Sequence, residues 1–207
     1  MNIIQLELFE IFKKFRYDDN IEIEVRIGWI GNHKFKSKMS SYHYHQILEQ
    51  LESCELFSSI EHKNTIDTTY NHKYRSIYNT TDYTTIVMEK ILLYKVDVPI
   101  IGTPFDIRIV VNKELIKDPC KLILKDITYI QTKHRTSFVY KMWSYDVTNC
   151  IIDPFYINID DDCNNMFSVE IEFIPHLCDY DFSNEYISLS LTEKINDLLN
   201  IPSIKLT

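Results

Sequence analysis

Two stretches far apart in the chain alternate carboxylates with apolar residues: Glu22-Ile23-Glu24-Val25-Arg26 and Glu170-Ile171-Glu172-Phe173. Side chains alternate across a β-strand, so each stretch would put its carboxylates on one face and its apolar residues on the other. Either stretch alone fits the exposed face of an ordinary half-buried sheet. The alternative is a closed barrel with a polar interior and an apolar outside covered by helices. If the two strands meet there, four carboxylates converge. Each like-charged pair at roughly 4 Å then costs about 4 kcal/mol at an effective dielectric of about 20. Such a cluster needs cations, and a bound divalent metal is the simplest supply.

Basic residues recur in the same alternating register further along. Lys133, Arg135 and Ser137 share one strand face, and Arg108, Val110, Asn112 and Glu114 share another. Arg75 and Lys90 fall on two more predicted strands, and Asp146 and Thr148 share a face just after Trp143. A lumen with carboxylates on some strands and Lys or Arg on others suits a polyphosphate chelated to a divalent metal. Arginine matches phosphate oxygens with a rigid fork, lysine acts as a point charge, and the carboxylates hold the metal.

The elements that must position these residues follow from periodicity and turn signals. Ile4, Leu8, Ile11, Phe12 and Phe15 have helical spacing. The first carboxylate strand runs from about residue 20 to Ile30 and ends at the turn signal Gly31-Asn32. Ser40 or Ser41 can cap a helix over about 42–53. Strands are expected near 64–70, 73–79, 84–95, 105–114, 121–131, 133–141, 143–149 and 167–174, with a loop over 150–166 and a final helix over 184–199. The fold class is mainly β (α+β): a closed antiparallel eight-stranded β-barrel with helices packed outside, forming one domain over residues 1–207. The absence of alanine, with abundant Ile, Thr and Tyr, favours strands over helices.

The net charge of −8 argues against broad electrostatic binding of nucleic acid, and no DNA partner is expected. It leaves room for a basic site inside a cleft. Five cysteines without a CxxC spacing (Cys54, Cys120, Cys150, Cys163 and Cys178) suit free thiols in a reducing compartment. No apolar run is long enough to span a membrane, and the first residues do not form a signal peptide, so a soluble intracellular protein is expected. His43 and His45 read as surface residues of a helix, and His176-x-Cys178 lacks a second pair for zinc. Asp160-Asp161-Asp162 reads as a solvated loop, and Trp143 as core on the barrel exterior.

The ordered set of these pieces resembles the triphosphate tunnel metalloenzymes, in particular the metal-dependent RNA 5′-triphosphatases of fungal, protist and large-DNA-virus mRNA capping. The matching pieces are Glu22-Ile-Glu24-Val-Arg26-Ile-Gly28, Tyr74-Arg75, Lys90, the strand ending at Glu114, Lys133-x-Arg135-x-Ser137, Trp143-x-x-Asp146-x-Thr148 and Val169-Glu170-Ile-Glu172. The resemblance implies that Glu22, Glu24, Glu170 and Glu172 hold Mg²⁺ or Mn²⁺. It implies that Arg75, Lys90, Lys133 and Arg135 grip the triphosphate and that Arg26 belongs to the tunnel floor. Glu114 would orient the attacking water, and Asp146 would hold a metal-bound water or a basic neighbour. The implied reaction is in-line attack of water on the γ-phosphorus of a 5′-triphosphate RNA end, with catalysis by positioning and electrostatics.

Two positions depart from the pattern. Gln131 stands where the family's RxKxRxS strand has its first basic residue, a loss that Lys125 or Arg108 would have to supply. Lys95 lies on the same predicted strand as Lys90, and their odd separation puts them on opposite faces unless a bulge intervenes. Lys95-Val96-Asp97-Val98 lacks the glycine of a guanylyltransferase KxDG motif, so that activity would belong to another chain or a missing region. Two competing functions stand beside RNA triphosphate hydrolysis. One is a tunnel hydrolase of inorganic tripolyphosphate, a nucleoside triphosphate or thiamine triphosphate. The other is a non-catalytic barrel that binds a polyanion or a partner protein.

Overall fold

A computed structural model describes residues 3–18, 20–118, 127–156 and 165–199. Eight strands form a closed antiparallel barrel: β1 (Ile21–Gly31), β3 (Ser59–Tyr70), β4 (Tyr74–Asn79), β5 (Thr85–Val98), β6 (Asp106–Lys117), β7 (Ile127–Tyr140), β8 (Trp143–Ile152) and β9 (Asn165–Phe173). Their order around the wall is β1-β6-β5-β4-β3-β7-β8-β9, and β9 closes back onto β1. A ninth short strand, β2 (Lys34–Lys36), folds onto the end of β1 through Asn32 and His33. Both turn residues have positive φ (50° and 62°), as a two-residue type I′ hairpin requires. Gly28 lies under β2, where a Cβ would come within 2.2 Å of the Lys36 carbonyl oxygen, so this position of β1 accepts no side chain.

Three helices cover one side of the barrel: α1 (Ile3–Phe15), α2 (Ser41–Glu52) and α3 (Asn184–Leu199). α1 buries Ile4, Leu8, Ile11, Phe12 and Phe15, the residues that its periodicity selects. Ser40 caps α2, its hydroxyl accepting from the His43 amide at 3.3 Å. The outward residues of β1 (Ile23, Val25, Ile27), β6 (Ile107, Ile109, Val111), β8 (Val147) and β9 (Val169, Ile171, Phe173) form one core with these helices. Trp143 is at its centre, edge-on to Phe12 at 6.2 Å and donating its indole N–H to Ser190 Oγ at 3.0 Å. Each side chain so buried contributes roughly 1.5–3 kcal/mol. On the side the helices cover, the outside of the barrel is thus the hydrophobic core, and the inward residues are free to be polar.

Three expectations about the elements are corrected. The strands expected at 121–131 and 133–141 are one in their described part: β7 runs unbroken through Thr132, because no turn residue interrupts Gln131-Thr132-Lys133. β3 begins at Ser59 rather than residue 64, since its exposed first half lacks the apolar alternation of a covered strand. β8 runs on to Ile152, and a single 3-10 turn follows at Pro154–Tyr156, inside the expected loop. Lys125, Cys120, Asp160-Asp161-Asp162 and Cys163 lie outside the described residues. Cys54, Cys150 and Cys178 are free thiols. No described helix is long and apolar enough to cross a membrane.

Candidate active site

The inward faces of the strands enclose a cavity of about 430 Å³. Strand alternation selects its lining: Glu22, Glu24 and Arg26 from β1, Glu170 and Glu172 from β9, Glu114 from β6, Lys90 from β5, Arg75 from β4, and Gln131, Lys133 and Arg135 from β7. The two carboxylate strands are direct neighbours where the barrel closes. Glu24 is opposite Glu172, and Arg26 is opposite Glu170. The four glutamates therefore meet on one inward patch at the seam that closes the barrel.

Basic residues thread this acidic wall. Arg26 donates to Glu24 at 2.5 Å and lies 3.3 Å from Glu170. Lys90 pairs with Glu22 and lies 3.5 Å from Glu114 and 3.9 Å from Glu24. Asn112 donates to Glu22 at 2.8 Å and to Glu24 at 3.3 Å. Opposite stands a cationic wall. Arg135 donates to Asp146 at 2.7 Å and to Thr148 at 3.2 Å, and Lys133 pairs with Asp67 at 2.7 Å. Arg75 lines the cavity with no ion pair among the described residues.

The charges are unevenly balanced. Burial, with Glu170 nearby, pushes Glu24 up to about 7 despite Lys90. Burial, with Glu22 and Asp146 close, pushes Glu172 up to about 8. Burial opposes ionisation of Glu170 too, but Arg26 and Arg135 hold it below the ordinary carboxylate range. Glu24 and Glu172, which face each other across the β1–β9 seam, are thus the two carboxyl groups that burial and like-charged neighbours keep protonated toward neutral pH.

Full ionisation of this cluster needs a further cation, which suits a hard divalent metal held by carboxylate oxygens. Among the described residues, no three Asp, Glu, His or Cys side chains already stand in a metal-ready cluster, because Lys90 and Arg26 occupy the carboxylates. The donor set fits a metal in its chemistry, with Glu22, Glu24, Glu170 and Glu172 as the candidate ligands, once those two cations yield.

The structure places the candidate residues unequally. Glu22, Glu24, Arg26, Arg75, Lys90, Glu114, Lys133, Arg135, Glu170 and Glu172 all line the cavity. Asp146 stands just behind it, 3% exposed, between Arg135 and the Ser144 hydroxyl at 2.6 Å. Its contacts orient Arg135. Arg108 is a correction: its guanidinium binds Asp97 at 2.6 and 2.9 Å, stacks on Phe35 and does not line the cavity. It therefore does not replace the basic residue missing at Gln131, whose amide oxygen accepts from Cys150 Sγ at 3.0 Å. Between Lys90 and Lys95, Lys90 is the lining residue. A bulge between Leu92 and Tyr94 returns Lys95 to the same ladder face, opposite Val110, but it is exposed and outside the cavity.

Asp67, Lys63 and Lys38 also line the cavity and were not among the candidates. The signal for the first two was the alternation Lys63-x-Thr65-x-Asp67 within β3. Lys38 comes from the segment after β2, which a bridge between Met39 and Phe167 fastens to β9, and no pattern marks it.

No protein-family model and no curated protein sequence matches the chain. Solved structures match its fold. The Pct1 RNA triphosphatase of S. pombe superposes with a TM-score of 0.76 at 14% identity, over 96% of this chain and 93% of that one. The same enzyme in complex with the Spt5 CTD gives 0.78 at 14% identity, over 96% and 92%. The Mimivirus capping enzyme triphosphatase gives 0.65 at 15% identity, over 96% and 97%. The closed barrel described above is thus the tunnel fold of these RNA triphosphatases.

Proposed function

We propose that this chain is a divalent-metal-dependent RNA 5′-triphosphatase that hydrolyses the γ-phosphate from nascent RNA, the first step of mRNA capping. The observation that carries this reading is the tunnel itself: converging glutamates on β1 and β9 face Arg75, Lys133 and Arg135 across one enclosed cavity. The fold shared with solved RNA triphosphatases supports it.

Lys133, Arg135 and Arg75 bind the phosphate oxygens. Asp146 and Thr148 hold the Arg135 fork in one orientation, so its ordering is complete before substrate arrives. Mg²⁺ or Mn²⁺ on Glu22, Glu24, Glu170 and Glu172 would neutralise charge developing on the γ-phosphoryl group. Glu114 orients a water for in-line attack and takes up its proton. The new O–P bond forms as the bond from the γ-phosphorus to the β–γ bridging oxygen breaks, releasing phosphate and a diphosphate-ended RNA. Lys90, paired with Glu22 beside Glu114, would turn to the phosphate oxygens once a metal holds that carboxylate. A guanylyltransferase, on another chain or in a further region of the same protein, would use the product.

The test is γ-phosphate release from 5′-triphosphate RNA, with and without Mg²⁺ or Mn²⁺, for the wild type, Glu24→Ala and Glu172→Ala. Metal-dependent release, reduced at least about 10²-fold in each variant, is expected. No release from folded wild type with any metal would sink the proposal. Release from tripolyphosphate but not from RNA would overturn the substrate assignment.

A further inference from the structure

Most cations of the tunnel already have acids beside them. Lys90, Lys133, Arg26 and Arg135 each pair with a carboxylate, and the side chains of Lys90 and Lys133 are only 18% and 16% exposed. Lys63 and Lys38 differ. Both line the same cavity, both are exposed, and neither makes an ion pair among the described residues. Lys63 acts only weakly on Asp82 in the β4–β5 turn, an interaction between exposed groups.

Their placement is defined. Lys63 is directly opposite Arg135 in the β3–β7 ladder, so it extends the cationic wall outward. Lys38 stands beside the first residues of β9, where Ser37 and Ser168 add hydroxyls to the same lining. Exposure of both lysines puts them at the mouth rather than in the depths. A chain of net charge −8 repels a polyanion over most of its surface, so cations at the entrance decide what approaches.

We propose that Lys38 and Lys63 form a rim site for the phosphodiester backbone behind the 5′ triphosphate, and so set a preference for polynucleotide ends over free polyphosphates. This rests on the triphosphatase reading for its occupant. The contacts are to backbone phosphates, so they carry affinity and salt dependence but no base sequence.

The test is fluorescence anisotropy with a 3′-labelled 5′-triphosphate RNA of about ten nucleotides, in EDTA and over a KCl series. It compares wild type, Lys38→Ala/Lys63→Ala, Lys38→Arg/Lys63→Arg and the remote control Lys13→Ala. Loss of two phosphate contacts, at about 0.7 each for single strands, should flatten the slope of log K against log salt by about 1.4. The double alanine variant should also bind RNA about tenfold more weakly, and the double arginine variant should retain wild-type binding. Competition by tripolyphosphate should discriminate less between wild type and the alanine variant than RNA does. Wild-type affinity and slope in the double alanine variant, or equal loss of tripolyphosphate and RNA, would overturn the rim. Hydrolysis assays on the same proteins keep the two ideas apart: lysine-dependent RNA binding without turnover in any of them supports the rim and removes the triphosphatase reading.

Discussion

Lys133 shares its wall with two arginines. Burial, then the charge of Arg75, pushes its pKa below the ordinary lysine range. Asp67 opposes that at 2.7 Å and is itself steadied by the Thr65 hydroxyl at 2.8 Å. Burial works against ionised Asp67, yet Lys133 holds it below the ordinary carboxylate range. Asp67 thus keeps a phosphate-binding lysine charged and aimed while the tunnel holds no phosphate. A hydrogen bond to a charged group contributes roughly 1.5–3 kcal/mol, equivalent to about 10- to 150-fold in a rate or binding constant. In Asp67→Ala, kcat/KM for 5′-triphosphate RNA should fall by about that factor. The basic limb of its pH profile should move to lower pH, because Lys133 loses the carboxylate that holds its proton. An unmoved limb with unchanged kcat/KM would show that Asp67 serves only the packing of β3.

At the scale of elements, the tunnel is positioned by helices that never enter it. Phe12 of α1 meets Phe173 of β9 at 5.2 Å and Trp143 of β8 at 6.2 Å, joining the helix to the strands that carry Glu172 and Asp146. Phe12→Ala should cost about 3–5 kcal/mol in urea unfolding, the range for a buried phenylalanine. A loss below about 1 kcal/mol would mean that α1 is not a main support of this seam.

Much of this scale was legible in the sequence, for a physical reason. Period-two alternation marks which side chains share a strand face, so Glu22 with Glu24, Glu170 with Glu172, and Lys133 with Arg135 fell on the correct sides before any pairing was known. Alternation says nothing about where a lumen ends. Arg108 has the inward parity but binds Asp97 instead, and the bulge near Leu93 made the parity of Lys95 unreadable. Arg16 was equally hidden: it is 8% exposed and ties the end of α1 to the backbone before α3 through the carbonyls of Asp179 and Phe182. A partner some 160 residues away leaves no local signal.

The molecule as a whole must fold around buried, clustered carboxyl groups that resist ionisation, and this sets its response to pH. Both Glu24 and Glu172 rise from an ordinary 4.5, to about 7 and about 8 respectively. Between those values the folded chain keeps protons that the unfolded chain has released. Stability therefore falls as pH rises through this window, because fewer protons are bound in the unfolded state than in the folded one. Glu170 and Asp67 act in the opposite sense: their lowered pKa values give stability that is present above the ordinary carboxylate range and lost as pH falls below it. Metal-free protein should then be most stable at about pH 5, with Tm dropping from there to about pH 8.5 in EDTA. A divalent cation binds the deprotonated carboxylates, so saturating Mn²⁺ should remove or reverse the drop. Glu172→Gln removes the more strongly raised group. It should raise metal-free Tm at the alkaline end and flatten its pH dependence, while abolishing γ-phosphate release, as expected where a destabilising site is kept for function. A metal-free Tm that is flat or rising across that range, or a Glu172→Gln protein less stable than wild type at alkaline pH, would mean that Arg26, Lys90 and Arg135 already balance the cluster and that the tunnel has no electrostatic call for a metal.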